Sequence, residues 1–224
     1  MKKIDVIQNI LEANETIASR NQQLLDKQKV FALNIMSAPG AGKTSVILQT
    51  LSRLKNRLNI AVIEGDVAST VDAEKVQSEA KAVVQINTRN MSESCSLIAA
   101  MIESALKDMP LDDIDLILIE NVGNLICPSE FALGEHKRVV ISSLPEGDDK
   151  PTKYPLIFTD AHAVIINKMD LLPHVDFDIA NFRGSIQGLN PKAEFFEISC
   201  KTGEGIERWS SWVLEQVETN TSKK

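Results

Sequence analysis

Three short stretches carry residues whose types and spacing suit one kind of chemistry. The first is SAPGAGKTS, residues 37–45. Glycines let a backbone approach a ligand closely, and successive N–H groups at a loop-to-helix turn cradle phosphate oxygens. Pro39, Gly40, Ala41, Gly42 and Ser45 would form that cradle. Lys43 would reach the β- and γ-phosphates, and the Thr44 hydroxyl would bind Mg2+. Ser37 stands where such loops usually have their first glycine. The second stretch is NKMD, residues 167–170. The Asp170 carboxylate can accept from guanine N1–H and the 2-amino group, whereas adenine presents an acceptor at N1 and no 2-amino group. Lys168 can cover the base with its stem, and Asn167 can tie the loop down. The backbone N–H groups of Ser199, Cys200 and Lys201 can meet the guanine O6. The third feature is a pair of acidic strand ends, EGD at 64–66 and ENVG at 120–123. Asp66 and Glu120 are the candidates to hold Mg2+ or its water and, with Lys43, to act in hydrolysis. Gly123 would let a loop approach a γ-phosphate. Either acid has a plainer reading as a helix cap or surface residue.

These stretches need strands that end where helices begin. Apolar runs at 30–36, 60–65, 82–87, 115–121, 138–143, 163–167 and 194–199 read as strands. They are continuous rather than alternating, as expected when both sheet faces are covered. Helical patterns fall at 3–26, 43–57, 69–79, 93–108, 176–188 and 203–218. The rhythm predicts an α/β, three-layer P-loop GTPase fold with a mostly parallel sheet of about seven strands and helices on both faces. An N-terminal helix within 1–28 is expected to pack on a GTPase domain at 29–218, with a flexible tail at 219–224. The segment 144–155 reads as a Pro- and charge-rich loop.

Bulk properties narrow the classes. The chain has 224 residues and a net charge of −7, which argues against nucleic-acid binding through a basic surface. No apolar run approaches the roughly 20 residues that span a bilayer, and the first residues do not read as a signal peptide. Cys95, Cys127 and Cys200 are odd in number and widely spaced. That argues against a disulfide framework and for a reducing cytoplasm. His136, His162 and His174 have no ligand spacing. The residues thus describe a GTP- and GDP-binding switch with Mg2+, and leave open what it switches.

NIMSAPGAGKT, EGD, VQINT, ENVGNLICP, PEGDDKPTKYP, INKMDLLP and SCKTGEG together resemble the hydrogenase maturation GTPase family, HypB, over roughly residues 30–215. The resemblance implies a cytoplasmic GTPase that forms a nucleotide-dependent homodimer. Such a protein delivers nickel to the [NiFe]-hydrogenase large subunit with a partner nickel chaperone. It also implies a Ni2+ or Zn2+ site near the dimer interface that includes Cys127, four residues beyond Gly123, with Cys95 matching the family's other cysteine. The related urease accessory GTPases carry Cys-Pro-His, whereas Cys127 and Pro128 here precede Ser129.

The metal motif departs from the family pattern. Ser96 occupies the place of the family histidine, and a serine hydroxyl is a poor ligand for either metal. Two thiolates per protomer, gathered twice in a two-fold dimer, would make a tetrahedral set suited to zinc. Cys95 would then lie in the first turn of helix 93–108, where the helix dipole favours a thiolate. Its spacing to Ile98 and Ile102 also suits a buried structural cysteine. The alternative function is a GTPase switch without metal cargo, or one serving another metalloenzyme. A small-molecule P-loop kinase is a third reading that NKMD opposes, and a non-catalytic nucleotide-dependent module is a fourth.

Overall fold

A computed structural model of the chain describes residues 6–65, 70–86 and 95–222. Its seven strands are β1 Phe31–Ser37, β2 Ile60–Glu64, β3 Ala82–Gln85, β4 Leu116–Glu120, β5 Lys137–Ser143, β6 Ala163–Asn167 and β7 Glu194–Glu197. They form one sheet in the order β3-β2-β4-β1-β5-β6-β7, and every neighbouring pair is parallel. The helices are α1 Val6–Gln28, α2 Lys43–Leu54, α3 Thr70–Glu79, α4 Ala99–Lys107, α5 Cys127–Glu130, α6 Lys150–Lys153, α7 Pro155–Thr159, α8 Ile179–Leu189 and α9 Ile206–Ser222.

Alternation along each strand sends successive side chains to opposite faces. Leu33, Ile35, Leu116 and Leu118 pack with Val46 and Ile47 of α2 and Trp209 of α9. Ala61, Ile63, Ile117 and Ile119 pack on the other face with Leu25 of α1 and Ile102 of α4. Met36, Val140, Val164 and Ile166 pack with Phe158 of α7 and Phe182 of α8. The runs are apolar throughout because helices cover both faces, which is why they read as strands so plainly.

Helix α1 is docked by two asparagines. The Asn21 amide donates to Ala99 O and Leu133 O, both at 2.9 Å. Asn14 donates to Ala132 O at 2.7 Å and accepts from Ala99 N–H at 2.8 Å. The second contact corrects the expected helix at 93–108. Asn14 caps the first amide of α4 from another helix, and Ile98 is extended with φ −125°. The helix therefore begins at Ala99, and Cys95 lies before it rather than in its first turn.

Three other expectations change. The segment 144–155 is not simply a loop, because a 3-10 turn at Leu144–Glu146 and helices α6 and α7 occupy it. Each has proline at its first or second position, where the missing N–H costs nothing. Helix α9 continues through Ser222, into the residues read as a flexible tail. Cys95 and Cys127 are joined in a disulfide, although their number and spacing argue against a disulfide framework; Cys200 is free.

Candidate functional site

The open parallel sheet presents its strand C-termini along one edge, where such folds bind ligands. β1 ends at Ser37, whose hydroxyl donates to Ala38 O at 2.6 Å. Ser37 is still extended strand, so glycine's conformational freedom is not required at that position. It is required at Gly42, which caps α2 with φ 101°. A Cβ there would also lie 2.5 Å from the Asn167 amide nitrogen. Lys43 follows as the first residue of α2 and is 5% exposed.

NKMD is wired into that loop. Asn167 donates to Ala41 O at 2.9 Å, and Lys168 Nζ donates to Gly40 O at 2.7 Å. Lys168 has φ 65°, a conformation rare for residues with side chains. Asn167 Oδ1 fixes it by accepting from Lys168 N–H at 2.7 Å. Asp170 accepts from the Ser199 hydroxyl at 2.7 Å, and Lys201 Nζ lies 3.7 Å from its other oxygen. The Ser199 hydrogen bond, helped by the Lys201 charge, holds this carboxyl below its usual range, so it is an acceptor at neutral pH. A cleft of about 500 Å³ lies between these groups, walled by Gly42, Ser45, Gln49, Asp170, Cys200 and Lys201.

The expected donors from SCK need one correction. Ser199 N–H is committed to Glu204 O at 3.0 Å, so its hydroxyl, not its backbone, serves the site by holding Asp170. The Cys200 carbonyl accepts from Gln49 at 2.9 Å, which fixes this loop to α2. Burial pushes the Cys200 thiol up to about 11, so it is protonated at neutral pH.

On the far side of the P-loop, Thr44 Oγ1 donates to Glu120 Oε1 at 2.7 Å. A hydroxyl and a carboxylate in contact are a hard oxygen pair of the kind Mg2+ takes beside phosphates. Asp66, the other expected magnesium residue, lies outside the described residues. Beyond Glu120 the chain passes Gly123, where a Cβ would lie 3.2 Å from Pro39 N and Cα. The ENVG turn thus rests directly on the phosphate loop.

Cys127 begins α5 four residues later, and its partner Cys95 lies with Cα 6.0 Å away. The segment of Cys95 is anchored through Leu97. Leu97 N–H donates to Asn121 Oδ1 at 3.2 Å, and its side chain sits where a Cβ on Gly65 would meet it at 2.6 Å. Asn121 itself donates to Asn34 Oδ1 at 3.1 Å. The cysteine pair is therefore tied to the ends of both β2 and β4. Ser96 is buried and its hydroxyl donates to Leu97 O at 2.9 Å, so it points away from a ligand role. Among the described residues, no three of His, Cys, Asp and Glu cluster as a metal site. His136 accepts Ala32 N–H at 3.0 Å and His162 accepts Arg138 N–H at 3.1 Å, both at the amino-terminal ends of strands. Reading the sequence missed Asn14, Asn21, Asn121 and the Ser199 hydroxyl. Their partners are distant in sequence, so no local signal marked them.

The family described as CobW/HypB/UreG, nucleotide-binding domain, matches residues 31–197. The chain is 42% identical to a probable hydrogenase maturation factor HypB of Methanocaldococcus jannaschii, covering 98% of this chain and 96% of the relative. The crystal structure of HypB from Archaeoglobus fulgidus superposes with a TM-score of 0.86 at 39% identity, covering 92% of this chain and 99% of that one. HypB from Helicobacter pylori in complex with nickel gives 0.85 at 36% identity, covering 93% and 97%. Among the described residues, no helix is long and apolar enough to cross a membrane. A P-loop clamped by NKMD, an all-parallel seven-stranded sheet and these likenesses over nearly the whole chain place it in the hydrogenase maturation factor HypB family.

Proposed function

We propose that this chain is a GTP-hydrolysing metallochaperone that assists nickel insertion into [NiFe]-hydrogenase in the cytoplasm. The observation that carries the reading is the contact between the Gly123 turn and Pro39, because the same turn leads to Cys127. A change at the γ-phosphate reaches that thiol through a few residues of chain. Metal affinity and nucleotide state are then linked, and linkage runs both ways.

In this reading the backbone of Pro39–Ser45 and the N-terminus of α2 bind the phosphates. Lys43 neutralises charge there. Asp170, held ionised by Ser199, reads guanine through N1–H and the 2-amino group. Thr44, Glu120 and Asp66 would hold Mg2+, which supplies charge neutralisation at the β- and γ-oxygens. Glu120 accepts from the Thr44 hydroxyl at 2.7 Å, which fixes that hydroxyl beside the phosphate loop. No arginine stands out in the sequence as a finger for the γ-phosphate, so slow intrinsic turnover is expected, with dimerisation or a partner accelerating it.

The transition metal is cargo. Reduced Cys95 and Cys127 give two thiolates per protomer, and two protomers of a nucleotide-dependent homodimer give four. Ni2+ or Zn2+ would be shared across that interface, then passed on with a nickel chaperone to the hydrogenase large subunit. The nickel complex of the Helicobacter pylori relative supports this cargo.

The buried Ser96 and the Cys95–Cys127 disulfide favour a second reading, a GTPase switch without metal cargo or one serving another metalloenzyme. GTP turnover and nucleotide binding test the shared part of both readings. Lys43→Ala should abolish one or the other, and wild-type hydrolysis in that variant would contradict the site.

A further inference from the structure

Glu64 ends β2 with 1% exposure, and its Oε1 has no hydrogen-bond partner among the described residues. Its side chain continues the row of Ile60 and Val62, which packs with α2. Glu120 continues the row of Leu116 and Leu118 onto the same face. β2 and β4 are parallel, and Glu64 pairs directly with Glu120 in their register. Neighbouring strands lie about 4.8 Å apart. Two buried carboxyl side chains therefore stand side by side at the strand ends, on the face where Thr44 donates to Glu120. A buried oxygen without a partner is costly unless the working site supplies one.

The strand order sets the distance of each acid from the phosphates. The P-loop leaves β1, β4 is its neighbour, and β2 lies one strand further out. Glu120 is thus placed to meet the metal and Glu64 to stand behind it. We propose that Glu64 is a positioning residue for the Mg2+–nucleotide complex, accepting a hydrogen bond from a water on the ion held by Thr44 and Glu120. This rests on reading the site as a Mg2+–guanine-nucleotide site. Nothing in the local sequence separates Glu64 from an ordinary strand end; its buried Oε1, without a partner among the described residues, does.

The test is Mn2+ binding to the GDP complex, followed by electron paramagnetic resonance, in wild type and Glu64→Gln. The Gln variant keeps an acceptor oxygen but loses the negative charge facing the ion, and should lose roughly ten- to a hundredfold in Mn2+ affinity, the range seen when a partner behind a metal ligand is altered. Its GDP affinity in EDTA should match wild type. Unchanged Mn2+ affinity, or an equal loss of GDP affinity in EDTA, would overturn the proposal. If Glu64→Gln does not fold, Glu64→Asp keeps the charge on a shorter stem and should show a smaller loss; wild-type Mn2+ affinity there also overturns it. Failure of wild type itself to bind Mn2+ with GDP would instead bring down the parent reading.

Discussion

A Cβ added to Gly123 would lie 3.2 Å from the backbone of Pro39. The atoms it would meet are Pro39 N and Cα and, equally near, the ring Cγ, none of which can rotate away. Gly123→Ala must push the ENVG turn and the phosphate loop apart by tenths of an ångström. Overpacking of this kind costs about 1–3 kcal/mol. We expect weaker GDP binding, read by displacement of a fluorescent nucleotide, in a chain that still folds. Unaltered affinity would mean the two loops move independently.

Asp170→Asn exchanges an acceptor for a mixed donor and acceptor. Guanine preference should fall by the about 1–3 kcal/mol of a lost buried partner, and xanthosine triphosphate should compete better. Ser199→Ala should have the same direction and smaller size, since Ser199 holds the carboxylate at 2.7 Å. Competition binding reads both. The Ser199 hydrogen bond, helped by the Lys201 charge, holds the Asp170 carboxyl below the ordinary aspartate value of 3.8 in the folded chain. Its contribution to stability is therefore complete above that value and is lost as pH falls through the lower folded one. Guanine discrimination should accordingly be flat from pH 8 to pH 5.

The three cysteines should differ in alkylation. Cys200 is half-buried and its thiol is pushed up to about 11, whereas Cys95 is exposed and Cys127 half-buried; the contrast in labelling therefore rests on the raised Cys200 thiol. Reduced protein treated with iodoacetamide at pH 8 should take label at Cys95 and Cys127 and spare Cys200, as read by peptide mass spectrometry. Rapid labelling at Cys200 would contradict its raised thiol.

Asn21 is 2% exposed and satisfies two carbonyls, Ala99 O and Leu133 O. Asn21→Ala leaves both without that donor and should cost about 1–3 kcal/mol. Thermal unfolding should shift down, with α1 the first element to lose amide-exchange protection. Wild-type stability would show that α1 is not held by this residue.

What could be read from sequence follows a physical line. β1, β4 and β6 are buried on both faces and each ends in a nucleotide motif, so their composition and their loops agree. The NKMD clamp was foreseeable in Asn167 but not in Lys168, whose Nζ reaches Gly40 O rather than lying free over the cleft. The start of α4 was misplaced because its cap comes from Asn14, 85 residues away. Helices α6 and α7 were hidden by prolines that read as breakers but stand at helix starts. The pairing of Cys95 with Cys127 depends on Leu97 meeting Asn121 and Gly65, contacts that no spacing rule contains.

The most direct test of the central claim is a titration of the fully reduced protein with Ni2+ and with Zn2+, in its GDP state and in a non-hydrolysable GTP state. We predict one metal per dimer, an affinity that differs between the two nucleotide states, and loss of that binding in Cys127→Ala. Equal affinity in both states, or binding that survives Cys127→Ala, would contradict a nucleotide-linked thiolate site.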